Sequence, residues 1–328
     1  MKSIVFLYFL VFIISLAITL VCERIIIPTL KKRASQPIYE GGPSWHISKK
    51  GTPTMGGLAF PIALTICSLI SLLYLVNLGK SIYAISIIIS LIYSIANALV
   101  GVIDDVTKLR RKENAGLTPA QKLLFQTIFS VIFLMARNRF LGDDTIISLG
   151  ALEIDLGILY YPLALVILVG IVNCANLTDG IDGLASSVAL SIGIIFSILC
   201  FSIPDGALLS AALIGCSLGF LFFNKHPALI FMGDTGSLFL GSLVSSIAFA
   251  YGNPLILLPV GIVYVIEGVS VILQVLVFKL TKKRLFKMAP FHHHLEKNGY
   301  GENKICFIAV ATTLILSAIV IILIGAIK

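Results

Sequence analysis

An α-helix needs about 20 apolar residues to cross roughly 30 Å of hydrocarbon at 1.5 Å per residue, and this chain offers ten such runs in 328 residues. They cover approximately residues 3–25, 56–78, 81–103, 119–141, 158–177, 184–203, 206–223, 235–251, 255–278 and 305–327. With 58% hydrophobic and 12% charged residues and a mean hydropathy of +1.04, the chain exceeds what a water-soluble core can bury. The expected fold is an all-α polytopic membrane protein of about ten transmembrane helices, forming one domain over residues 1–328. The first run is followed by Glu23, Arg24 and a basic stretch, not by a small-residue cleavage site, so it reads as a retained span. Six scattered cysteines without a CxxC pair fit lone buried thiols.

Short cytoplasmic loops carry the positive excess. With both termini outside, the inner side collects 19 of the 24 lysines and arginines, including seven between Lys279 and Lys304. The fourth run is the weakest, because its uncharged stretch 123–136 spans only about 21 Å. Lys122 and Arg137 are expected to snorkel to opposite interfaces. Removing that span would put the seven-charge loop outside, so it is kept. The net charge of +8 is then a topology signal and not a nucleic-acid footprint. On the outer side, residues 146–157 alternate around Gly150-Ala151 and predict a short β-hairpin acting as a structural lid. No repeat, low-complexity tract or soluble-domain linker is visible.

Ionisable residues beside membrane spans are expensive and point to function. Asp104-Asp105, Asp179 with Asp182, and Asp234 all fall on the predicted inner face beside glycine or asparagine, as do the five histidines, including His46 and His226. Asp104 and Asp105 close the third run. Neighbours on a helix point about 100° apart, so a division of labour is expected: one carboxylate for Mg²⁺, the other to accept a proton or orient a substrate. In NCANLTDGIDGLA, Asn173, Asn176, Asp179 and Asp182 recur every three residues and Gly180 and Gly183 argue for an opened turn. Such a turn can accept from ribose hydroxyls or a base N–H, or hold a metal. In NKHPALIFMGDTGS, Gly233 and Gly236 flank Asp234 in a flexible turn that opens a helix and meets a phosphate or its metal, with Phe231 available to stack on a base. PFHHHLEK lacks the i,i+4 spacing of helical zinc ligands, and its His292, His293 and His294 suit pyrophosphate binding. HISKKGTPTMGG adds Lys49, Lys50 and Thr54 as phosphate contacts. Glu267-Gly268, inside the ninth run, predicts a helix break or a hydrogen bond facing the bundle.

Together HISKKGTPTMGG, ALVGVIDDVTK, NLTDGIDGLA, HPALIFMGDTGS and PFHHHLEK, in this order and over most of the chain, resemble the phospho-N-acetylmuramoyl-pentapeptide transferase family. That family lies within the polyprenyl-phosphate N-acetylhexosamine-1-phosphate transferase superfamily. The uninterrupted histidines match this branch better than the N-acetylglucosamine-phosphate branch, which remains the alternative; a secondary transporter or Mg²⁺ channel is the non-enzyme rival. The resemblance implies Mg²⁺-dependent transfer of phospho-MurNAc-pentapeptide from UDP-MurNAc-pentapeptide to undecaprenyl phosphate. It also implies a cytoplasmic active-site cleft in the bacterial plasma membrane, a lipid-held substrate tail and a homodimer. By the same resemblance Asp234 is a metal ligand assisted by Asp105, and Asp104 a base or lipid-phosphate partner. Asn176, Asp179, Asp182, Asn224 and Phe231 then fall to the nucleotide, and Lys49, Lys108, Lys122, His292, His293 and His294 to phosphate or sugar.

Overall fold

The computed structural model describes residues 2–31, 49, 51–111, 116–149 and 152–327; His46, Lys50 and the predicted hairpin turn Gly150-Ala151 lie outside them. Twelve helices are described: α1 (Lys2–Lys31), α2 (Ala59–Asn77), α3 (Ser81–Arg111), α4 (Pro119–Leu141), α5 (Tyr160–Thr178), α6 (Leu184–Leu199), α7 (Pro204–Asn224), α8 (Gly233–Ala250), α9 (Leu257–Val260), α10 (Ile262–Thr281), α11 (Phe291–Glu296) and α12 (Glu302–Ile327). Strands β1 (Ile146–Leu149) and β2 (Leu152–Asp155) pair antiparallel, Ile147 opposite Ile154, which gives the expected hairpin. The six cysteines are free.

Among the described residues eight helices are long and apolar enough to cross a membrane. The other two predicted spans form shorter helices. α6 has 16 residues, and α8 has 18, with residues 235–249 all buried. α8 is the hub of the bundle, packed against α3, α5 and α7. Its serines and glycines lower its hydropathy but allow helices to approach closely. The same device joins α1 to α7, where Ser15 and Thr19 lie against Gly215 and Gly219.

Three expectations about polar residues in spans are corrected. α3 continues two turns past the third apolar run to Arg111, so Asp104 and Asp105 lie within a helix and not at its end. Arg137 does not snorkel: it is buried, its Nε is 2.5 Å from Asp143 Oδ2 and its Nη2 donates to the Phe249 carbonyl at 2.9 Å. Lys122 likewise turns into the bundle. A guanidinium at this depth finds its charge partner and a helix-end carbonyl inside the protein, which snorkelling would forfeit. The ninth run breaks at Gly261, between α9 and α10, not at Glu267, where the other expectation holds: its carboxylate makes a hydrogen bond inside the bundle.

α3 meets α8 at Gly101, where an added Cβ would collide with the backbone of Asp234 and Thr235. Backbone cannot swing aside as a side chain does, so Gly101→Ala should cost about 1–3 kcal/mol by overpacking. Gly170→Ala, with open space around it, should leave stability unchanged or raised. Thermal unfolding in detergent checks the pair; equal melting temperatures for wild type and Gly101→Ala would contradict this packing.

Candidate functional site

The site begins where α8 begins. Helix N-termini leave backbone N–H groups unpaired and carry a partial positive charge, and inside a membrane bundle those groups need protein acceptors. Asp105 supplies them: Oδ1 accepts from Asp234 N at 3.1 Å, and Oδ2 from Thr235 N at 3.0 Å and Thr235 Oγ1 at 2.7 Å. Gly233 precedes with φ +70°, and a side chain there would strike Asp105 Oδ2 and Thr54 Oγ1. Thr54 is thereby placed beside Asp105, its hydroxyl without a partner among the described residues. Gly236, expected to lend flexibility, is instead in the first turn of α8, packed on Gly57.

A single step along the helix sets Asp104 on a different side of α3. Its Oδ1 accepts from Leu117 N at 2.7 Å, and its Oδ2 lies 2.6 Å from Lys108 Nζ and 3.1 Å from Lys122 Nζ. Lys108 also reaches Asp234 Oδ1 at 3.2 Å, and Lys122 pairs with Asp234 Oδ2. Asp104, Asp105 and Asp234 thus offer oxygens within 4.8 Å of one another, with two ammonium groups among them. The 100° offset of Asp104 from Asp105 separates their neighbours, as expected, yet both still face Asp234.

A second polar cluster gathers at the turn between α5 and α6. Asp182 Oδ1 is 2.6 Å from Lys49 Nζ; its Oδ2 is 2.9 Å from His226 Nδ1 and accepts from Ala228 N at 3.0 Å. Glu302 closes the ring, 2.8 Å from Lys49 and accepting from Asp182 N at 2.7 Å. Asn224 clamps the same turn: Oδ1 accepts from Gly183 N and Ser186 Oγ, and Nδ2 donates to the Ile230 carbonyl. Asp179 lies between the clusters. Burial first, then the charges of Asp234, Asp105 and Asp182, push its carboxyl well above the usual carboxylate range, only partly offset by Lys108.

The remaining predicted residues scatter around this core. Asn176 donates to Ser237 Oγ on α8 at 2.8 Å. Asn173, one turn earlier, is occupied by Gln126 Oε1 at 2.6 Å. Phe231 is fixed by its backbone, which pairs with Pro53 and Gly56. On α11, His292 is buried against Gly180 and linked to Glu267. His293 is 2.6 Å from Glu296, and His294 stacks on Phe291. Sequence reasoning missed His226 and Glu302 as members of the site. Both stand on the predicted cytoplasmic face, and His226 lies within HPALIFMGDTGS.

The chain is similar over most of its length to proteins of known family. Residues 86–252 match the model of glycosyl transferase family 4, and residues 49–60 match the phospho-N-acetylmuramoyl-pentapeptide-transferase signature 1. The chain is 42% identical over 296 residues to the phospho-N-acetylmuramoyl-pentapeptide-transferase of Caldicellulosiruptor bescii, covering 89% of this chain and 90% of that protein. It is 43% identical over 295 residues to the protein of the same name from Halalkalibacterium halodurans, covering 88% and 89%. With that from Clostridium botulinum it shares 42% over 306 residues, 92% of each chain.

Truncating Asn224 to alanine would leave the Gly183 N–H and the Ile230 carbonyl without this partner, each worth about 1–3 kcal/mol. Asn224→Ala should therefore lower the melting temperature and speed hydrogen exchange at residues 183–186; unchanged exchange there would show that the turn is held by something else.

Proposed function

The chain belongs to the phospho-N-acetylmuramoyl-pentapeptide-transferase family, and from that premise we propose how its charged cleft performs the reaction. The enzyme transfers phospho-MurNAc-pentapeptide from UDP-MurNAc-pentapeptide to undecaprenyl phosphate, giving lipid I and UMP, the first membrane step of peptidoglycan synthesis. The relatives' names favour this over transfer of N-acetylglucosamine phosphate.

The observation that carries the residue assignment is the meeting of Asp104, Asp105 and Asp234 with Lys108 and Lys122 at the N-terminus of α8. In the reaction an oxygen of the lipid phosphate bonds to the sugar-bearing phosphorus while the anhydride bond to UMP breaks. Charge builds on both phosphates, and preorganised positive groups in a site shielded from water stabilise it. Lys108 and Lys122 are held in place by the aspartates they neutralise, so they meet an incoming diphosphate without reorganising.

The donor set also fits Mg²⁺, which takes one or two carboxylates and completes its shell with phosphate oxygens and water. Asp234 would hold it, with Asp105 orienting Asp234 through the α8 cap and lending its remaining lone pairs. When bound, the ion supplies further positive charge to the bridging diphosphate. Asp104, buried and paired with two lysines, is a poor covalent nucleophile and a good partner for a lipid phosphate that displaces it from them. This supports direct transfer, without a phosphoryl-enzyme. The turn 179–183, with Asn176, Asn224, Phe231 and Lys49, takes the nucleotide, and Thr54, His293 and His294 lie toward phosphate or sugar. We place the protein in the bacterial plasma membrane, termini outside and cleft toward the cytoplasm, and as a homodimer.

Purified enzyme should release UMP from UDP-MurNAc-pentapeptide only with both undecaprenyl phosphate and Mg²⁺ present, and EDTA should abolish release reversibly. Asp234→Asn and Lys122→Gln should each lower kcat by about 10²–10³, the loss seen when one charge-stabilising group is removed. UMP release without the lipid would overturn direct transfer. Product from UDP-GlcNAc but none from UDP-MurNAc-pentapeptide would overturn the substrate.

A further inference from the structure

Glu267 is buried in α10, far along the chain from every residue given a role above except the α11 histidines. Both of its oxygens accept from His292 N at 3.2 Å, and Oε2 is 3.1 Å from His292 Nδ1. A buried carboxylate is held by such donors or not at all. With Nδ1 engaged, the opposite edge of the imidazole is aimed at the turn between α5 and α6. His292 Nε2 has no partner among the described residues, and a methyl on Gly180 would run into it. Next to Glu267, Gly268 lets Cys174 of α5 approach so closely that a side chain there would overlap its sulfur. α5 ends at Thr178, one residue before Asp179. Beyond Ser270 the rest of α10 is half-exposed or exposed, so this single buried stretch is where α10 grips the site.

We propose that Glu267 is a positioning residue for the transferase, acting through His292. It fixes the imidazole against Gly180, and the imidazole sets the backbone of the 179–183 turn that receives the uridine nucleotide. The inference rests on the nucleotide assignment of that turn made above. It differs from the expectation that His292 simply touches phosphate: His292 is 1% exposed and acts first as a strut. Glu267 needs to be a carboxylate because both oxygens accept; glutamine keeps the volume and loses one acceptor.

The test uses the full-length enzyme in detergent with Glu267→Gln and, from the other side of the same contact, Gly180→Ala. Each should raise KM for UDP-MurNAc-pentapeptide about ten-fold, the lower end of losses seen when the partner that orients a ligating histidine is removed. KM for undecaprenyl phosphate should stay at the wild-type value, and UMP affinity by calorimetry should fall by the same factor. Because the two variants break one contact, their combination should be no worse than the more damaging single change. Wild-type nucleotide KM and UMP affinity in both variants, a loss confined to the lipid KM, or losses that multiply would each overturn the proposal. Should Glu267→Gln lack a cooperative melt, Gly180→Ala decides by the same readouts. UMP titration needs no turnover, so an inactive wild type that binds UMP would sink the transferase reading and leave this test standing.

Discussion

The carboxylate of Asp105 on the first turn of α8 is the contact on which the rest of the site depends. It joins residues 129 and 130 positions apart, and it satisfies N–H groups of the first turn of α8 that have no partner within the helix. Gly101, one turn earlier on α3, lets the two backbones come close enough for the cap to form. Asp234 is then delivered beside Asp104, Lys108 and Lys122 by the geometry of a helix start, not by a loop. Structure and chemistry share one carboxylate here. Replacing Asp105 therefore disturbs the α8 entry and the carboxylate proposed to hold the metal together.

Burying three carboxylates near one another is costly unless opposite charge and hydrogen bonds offset the lost hydration. Lys108, Lys122, Leu117 N and the α8 N-terminus do this for the first cluster. Lys49, His226 and two backbone N–H groups do it for the second. Asp179, between them, has burial and three like charges against it. Each cluster is thus charge-compensated by groups of the chain itself, and Asp179 at their junction is the carboxylate least compensated by them.

Much of this was legible from the residues. In a chain so apolar, Asp104, Asp105, Asp179, Asp182 and Asp234 stand out because each stands at the end of a membrane-length run, and the distribution of lysine and arginine brings them to one side. The membrane spans followed from the length of the apolar runs, with α6 shorter than its run. What the residues did not reveal depends on contacts across long stretches of chain. His226 and Glu302 sit in polar loops where a charged residue is ordinary, and only the fold brings them to Asp182. Arg137 resembled a snorkelling side chain because its partner Asp143 and the end of α8 are not neighbours in any periodic pattern. The helical continuation of α3 to Arg111 was hidden because hydropathy ends where the hydrocarbon ends, whereas hydrogen bonding does not. Glu267 was visible as an anomaly within an apolar run, but its partner, 25 residues on, was not.

The central claim is that Asp105 and Asp234, joined through the α8 cap, hold a divalent cation that touches the substrate diphosphate. Electron paramagnetic resonance of Mn²⁺ in place of Mg²⁺, on purified enzyme with UDP-MurNAc-pentapeptide and no lipid acceptor, measures this directly. The account predicts one tightly bound Mn²⁺ per chain, with phosphorus hyperfine coupling from the diphosphate, and loss of that signal in Asp234→Ala but not in Asp182→Asn. Phosphorus-coupled Mn²⁺ that persists in Asp234→Ala, or disappears only when Asp182 is changed, would contradict it.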